Sequence, residues 1–77
     1  MKKVTTLWNL YVLAKEDDRY NTILIDYAIS RGAFNQYQFK ILGEIEASKA
    51  YLNGIADVEG EQMIIDDVNF IINELYD

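Results

Sequence analysis

The sequence predicts an all-α fold, a compact bundle of about four short helices. Three observations point there. Apolar residues recur at three- and four-residue steps, the spacing that lines one face of a helix. The stretches are separated by residues that cap or stop helices: Thr5 or Thr6, Asp17 or Asp18, Gly32, Asn35, Gly54 and Asp57. The chain contains no proline to interrupt them. With 77 residues it forms one domain, 1–77. The alternative is an α+β fold, an N-terminal β-hairpin packed by two helices. Residues 4–13 (VTTLWNLYVL) have good β-propensity, and Ile23, Ile25, Tyr27 and Ile29 alternate as in a strand.

The first helix is expected from a Thr5 or Thr6 cap to about Glu16, since a threonine oxygen accepts from the open N–H groups of the first turn. Val4, Leu7, Leu10, Tyr11 and Ala14 share one side. Trp8, Val12 and Leu13 fall elsewhere, so the helix is apolar nearly all round and predicts deep burial. Glu16–Arg19 is a charged break, and Asp17 or Asp18 caps a second helix over Arg19–Arg31. Tyr20, Ile23, Leu24, Tyr27 and Ala28 form its inner stripe, with Ile25 and Ile29 extending it. Gly32 is a good stop, because glycine takes positive φ cheaply and Arg31 suits the negative end of a helix. That stop favours helix over strand.

Asn35 caps the third helix, expected over Gln36–Asn53 with Gly54 as its stop. Its large apolar positions are Phe34, Tyr37, Ile41, Leu42, Ile45 and Leu52, and its reverse side carries the small residues Gly43, Ala47 and Ala50. The last helix belongs to the stretch Asp57–Asp77. Ile64, Ile65, Val68, Ile71, Ile72 and Leu75 cover an arc of roughly 120°. Asp66, Asp67, Glu74 and Asp77 lie opposite, and Met63 and Phe70 lie there with them. Those two residues are seven apart, about 10 Å along the axis. An apolar pair in an acidic surround is either second-face core or an anchor for a partner.

Charge is split along the chain. Residues 1–40 hold six Lys/Arg against four Asp/Glu, net +2, and residues 41–77 hold one Lys against nine, net −8. From Ile55 onward no residue is basic. Such a half repels a phosphate backbone, so direct nucleic-acid binding through it is disfavoured and a basic partner is favoured. With 51% hydrophobic residues in so short a chain, either the core is rich or part of the surface is covered by association.

Catalytic chemistry is not expected. There is no histidine or cysteine, so the usual zinc ligands and activated nucleophiles are missing. Ser48 and Lys49 are adjacent, which turns their side chains about 100° apart on a helix. No glycine-rich phosphate loop occurs. Asp57, Glu59 and Glu61 alternate as in a calcium loop, but Gly60 and Val68 occupy the wrong positions for one. No metal or cofactor is therefore expected. The lack of cysteine, of a signal peptide and of a run of roughly 18–20 apolar residues predicts a soluble cytoplasmic protein.

These readings predict a small acidic, non-enzymatic protein–protein interaction module. It either self-associates as a homodimer or binds and regulates or inhibits a basic partner. The expected contact face is the outer side of the last helix: Met63 and Phe70 as anchors, with Asp66, Asp67 and Glu74 as rim. The alternative is a helix-turn-helix transcriptional regulator dimerising through that helix. Ala28, Gly32 and Ile41 fit three spacings of the motif, and Gln36, Gln38 and Lys40 would face DNA. Gln38 stands where an apolar residue is needed, and the domain is acidic.

Overall fold

The computed structural model describes residues 1–33 and 42–76, and these form four α-helices. They are α1 (Leu7–Glu16), α2 (Asp18–Ser30), α3 (Glu44–Glu59) and α4 (Glu61–Tyr76). The described residues contain no strand; the first N-terminal run is helical from Leu7 and the second throughout, so the hairpin alternative does not hold. Capping decides the matter locally. Thr6 Oγ1 accepts from Asn9 N–H at 2.9 Å, and Asn9 Oδ1 accepts in return from Thr5 N–H at 3.1 Å. Asp17 serves two helices at once. Its N–H closes α1 on the Leu13 carbonyl, and its carboxylate accepts from Arg19 N–H at the start of α2. The Arg19 guanidinium pairs with the same group at 2.8 Å and holds its pKa below the usual aspartate value.

α2 stops just before Gly32, the stop its sequence predicts. Ala33 N–H reaches back to the Ala28 carbonyl and Gly32 N–H to that of Ile29, which satisfies two last-turn acceptors. Gly32 has φ +104°, and a Cβ there would meet the Tyr51 hydroxyl at 3.0 Å. That hydroxyl donates to the Arg31 carbonyl, and the Arg31 guanidinium pairs with Glu59, so the end of α2 is tied to α3 twice.

The third helix departs from expectation. Within the described residues it begins at Glu44 after Gly43, runs through Gly54 and stops only at Gly60. A glycine inside a helix costs about 1 kcal/mol. The inner stripe of Ser48, Leu52, Ile55 and Ala56 carries on past Gly54 at helical spacing, and its burial outweighs that cost. Asp57 is consequently inside α3 rather than a cap of α4. Gly60, at φ +97°, makes the one-residue link. Gly43 is the N-cap residue, at φ +83°, rather than part of a small-residue helix face. Residues 34–41, where the expected helix began, lie outside the described residues.

The core draws on all four helices. Leu10, Leu24, Leu52, Ile64, Val68 and Ile72 are its largest fully buried side chains, together with Val4. α1 buries one stripe only: Leu7, Leu10, Tyr11 and Ala14. The deep burial expected of its whole circumference does not occur, and Trp8 is 73% exposed. α1 packs chiefly against α2 and more lightly against α4, so among the described residues no helix covers the Trp8 side of it. No helix among the described residues is long and apolar enough to cross a membrane.

Residues 1–6 precede α1 and are docked rather than trailing. Val4 is 0% exposed. Asn69 on α4 grips its backbone with both amide atoms: Oδ1 accepts from Val4 N–H at 2.7 Å, and Nδ2 donates to the Val4 carbonyl at 2.8 Å. The Tyr20 hydroxyl donates to the Lys2 carbonyl at 2.7 Å. Glu61 Oε1 accepts from Leu7 N–H at 2.9 Å, filling an open donor at the start of α1.

Candidate functional site: the outer face of the last helix

α4 turns Ile64, Ile65, Val68 and Ile72 inward, which leaves a long acidic face outward. Phe70 stands on that face with 64% of its surface exposed. Asp66 and Glu74, one turn before and after it on the helix, are exposed as well. Asp66 accepts from the Gln62 amide at 2.8 Å. No lysine or arginine among the described residues pairs with Asp66 or Glu74, and α4 has no basic residue of its own. An aromatic ring is thus held between two carboxylates whose charge no cation of the described chain offsets.

Two of the five expected face residues sit differently. Met63 is half-buried and packs against the core. It follows the Gly60 turn by three residues, where α3 is still close, and its unbranched side chain can lie along the core edge. Asp67 is half-buried in the seam between α2 and α4, where it accepts from the Tyr27 hydroxyl at 2.6 Å. Burial, and then the bond to Asp67, push the Tyr27 phenol well above its ordinary pKa. The structure therefore brings Asp66, Phe70 and Glu74 together on the open face, and gives Met63 and Asp67 packing roles.

Leu75 departs from the inner stripe in the opposite sense. It is 68% exposed, because the last turn of α4 runs past the core that covers Ile72. Asn69, Glu61 and Tyr20, which hold the N-terminal segment, carry no signal that sequence reasoning detects. A polar residue at the flank of an amphipathic stripe looks the same whether it faces water or grips a backbone. Two carboxylates of the imperfect calcium-like pattern are used otherwise: Glu59 pairs with Arg31 at the end of α2, and Glu61 caps α1. Ser48 is fully buried, with no partner for its hydroxyl among the described residues.

Of the residues that would form a helix-turn-helix, Gln36, Gln38, Lys40 and Ile41 lie outside the described residues. Ala28 is buried in α2, and Gly32 ends that helix. No protein-family model, curated protein or solved structure matches this chain.

Proposed function

We propose that this protein is a small non-enzymatic interaction module that captures a basic protein surface through the outer face of α4. One observation carries the reading: the exposed Phe70 ring between Asp66 and Glu74, neither of which has an ion pair among the described residues. An aromatic anchor inside a charged rim is the arrangement of a compact binding hot spot. Covering the exposed part of Phe70 is worth about 1–2 kcal/mol, or roughly five- to thirtyfold in affinity.

The charges bear on which partner is favoured. A two-fold contact centred on Phe70 would set Asp66 and Glu74 of one copy against the same residues of the other. Like charges at close range cost free energy and discourage that pairing. A basic surface gains from the same residues, mainly through faster encounter at low salt.

The test is affinity capture from host lysate with wild type and Phe70→Asp side by side, with light scattering on each protein alone. Phe70→Asp is expected to keep its helical circular dichroism and to lose the captured partner. Unfolding of Phe70→Asp would place that ring in the core, and unchanged capture would remove α4 from the interface. A change of Asp66 and Glu74 to amides is expected to slow association and flatten its salt dependence.

A further inference from the structure

A second open surface lies on the side of the bundle where Trp8 projects. A groove of about 500 Å³ runs between α1, α3 and the start of α4, and Trp8, Tyr11, Lys49, Asn53, Asp57 and Glu61 contribute to its lining. That volume falls within the range of sites that hold a side chain or small ligand, about 300–1,000 Å³. Trp8 is the chain's only tryptophan and is 73% exposed.

Two features of this groove favour a cation. Its aromatic floor already takes one, since the Lys49 ammonium lies 5.4 Å from the Tyr11 ring centroid. Lys49 is also partnered by Glu46 at 3.4 Å, so its charge is largely spoken for. The remaining charged groups of the lining are both acidic. Asp57 has no ion pair among the described residues. Glu61 spends only Oε1 on the Leu7 N–H. Tyr11, whose hydroxyl donates to Asn53 Oδ1, has its pKa pushed up to about 12, by burial first and by the nearby Glu61 carboxylate second.

We propose that this groove seats an arginine side chain of a basic protein segment. The guanidinium plane stacks on the Trp8 indole, and the Asp57 and Glu61 carboxylates take its charge. Arginine fits better than lysine because its planar, weakly hydrated cation stacks on an aromatic face while its edge N–H groups still reach carboxylates. A nucleic-acid base would also stack on Trp8, but its phosphates would meet the same two carboxylates. The inference shares with the proposed function only the basic character of the partner, and it uses a different face.

Trp8 reports on its own site. Its fluorescence is titrated at low salt with a capped Gly-Arg-Gly peptide, with the same peptide carrying neutral citrulline, and with a short oligothymidylate. The arginine peptide is expected to give a saturable change, with the citrulline peptide at least about fivefold weaker. A protein carrying Asp57→Asn and Glu61→Gln is expected to weaken arginine binding to a similar extent. Glu61→Gln keeps an oxygen for the Leu7 N–H, so α1 retains its cap. Phe70→Asp is expected to bind the peptide as wild type does, which separates this groove from the α4 face. Equal response to arginine and citrulline, no saturable response, or a preference for the oligonucleotide would each overturn the proposal. So would undiminished binding by the Asp57/Glu61 variant, or loss of binding in Phe70→Asp.

Discussion

Replacing Asn69 by alanine tests how the N-terminal segment is held. The substitution removes both bonds to the Val4 backbone while leaving the inner stripe of α4 intact. If residues 1–6 stayed docked, two buried backbone groups would be left unpaired. Each costs about 1–3 kcal/mol, so the loss would be about 2–6 kcal/mol. Letting the segment go sets a lower ceiling. Docking gains about 2 kcal/mol from burying Val4. The two Asn69 bonds and the Tyr20 bond to Lys2 add about 1 kcal/mol each. Fixing some four residues costs about 1 kcal/mol apiece. The segment is therefore held by about 1 kcal/mol, and Asn69→Ala is expected to release it at that cost instead of straining the bundle. Urea unfolding followed by circular dichroism gives the loss. Amide hydrogen exchange locates it: Val4 loses protection while Leu52 in α3 keeps it. A Val4 amide that stays protected in the variant, or a loss above about 4 kcal/mol, would refute this account.

Tyr11 and Tyr27 have raised pKa values in the folded protein, so the stability linked to them is fully present below the unfolded tyrosine value of about 10. It is lost as pH climbs from there through the folded values, because the unfolded chain gives up these protons first. Stability measured by urea titration is expected to fall steadily between about pH 10 and 12. Tyr27→Phe is expected to make that fall shallower, and to cost about 1–3 kcal/mol at neutral pH by leaving Asp67 without its donor. An unchanged alkaline slope in Tyr27→Phe would show that Tyr27 does not drive it. Gly54→Ala and Gly60→Ala are expected to have opposite signs. Gly54 is helical and a Cβ there meets nothing within 4 Å, so alanine is expected to stabilise by about 0.5–1 kcal/mol. Gly60 is also open but has φ +97°, and alanine there is expected to cost about 1–2 kcal/mol. Thermal melts of the two variants check both signs, and a stabilised Gly60→Ala would show that the turn can relax.

The open face of α4 owes its chemistry to charge that has no local answer. At the end of α2 and within α3, Arg31 and Lys49 each find a carboxylate, Glu59 and Glu46. In α4, Asp66 and Glu74 have no such neighbour among the described residues, and Phe70 lies exposed between them. Single exposed apolar residues are common and need no explanation. Here the ring coincides with the most one-sided charge in the chain, and that coincidence gives the binding proposal its content.

The sequence by itself predicted the helical class, the inner stripes, the stop at Gly32 and the two N-caps to within a residue, Thr5 or Thr6 and Asp17 or Asp18; the structure selects Thr6 and Asp17. These are local properties: a 3.6-residue period, a side-chain oxygen placed before a turn, and a glycine free to take positive φ. It also determined the charge split, and so the electronegative character of the last helix. It placed Phe70 on the outer face from helical angle alone. Only the tertiary structure decided which outward residues stay uncovered. Met63 and Asp67 share that face by angle, yet the nearness of α3 and the Tyr27 hydroxyl draw them in. Leu75 belongs to the inner stripe by angle, yet it is exposed at the last turn of the helix. Gly54 reads as a stop until the stripe beyond it finds a core to bury in. The grip of Asn69 on Val4 joins residues 65 apart in sequence, a separation over which no periodicity carries information. Period and capping fix where each side chain points along its own helix; the packing of neighbouring elements fixes whether it then meets protein or water.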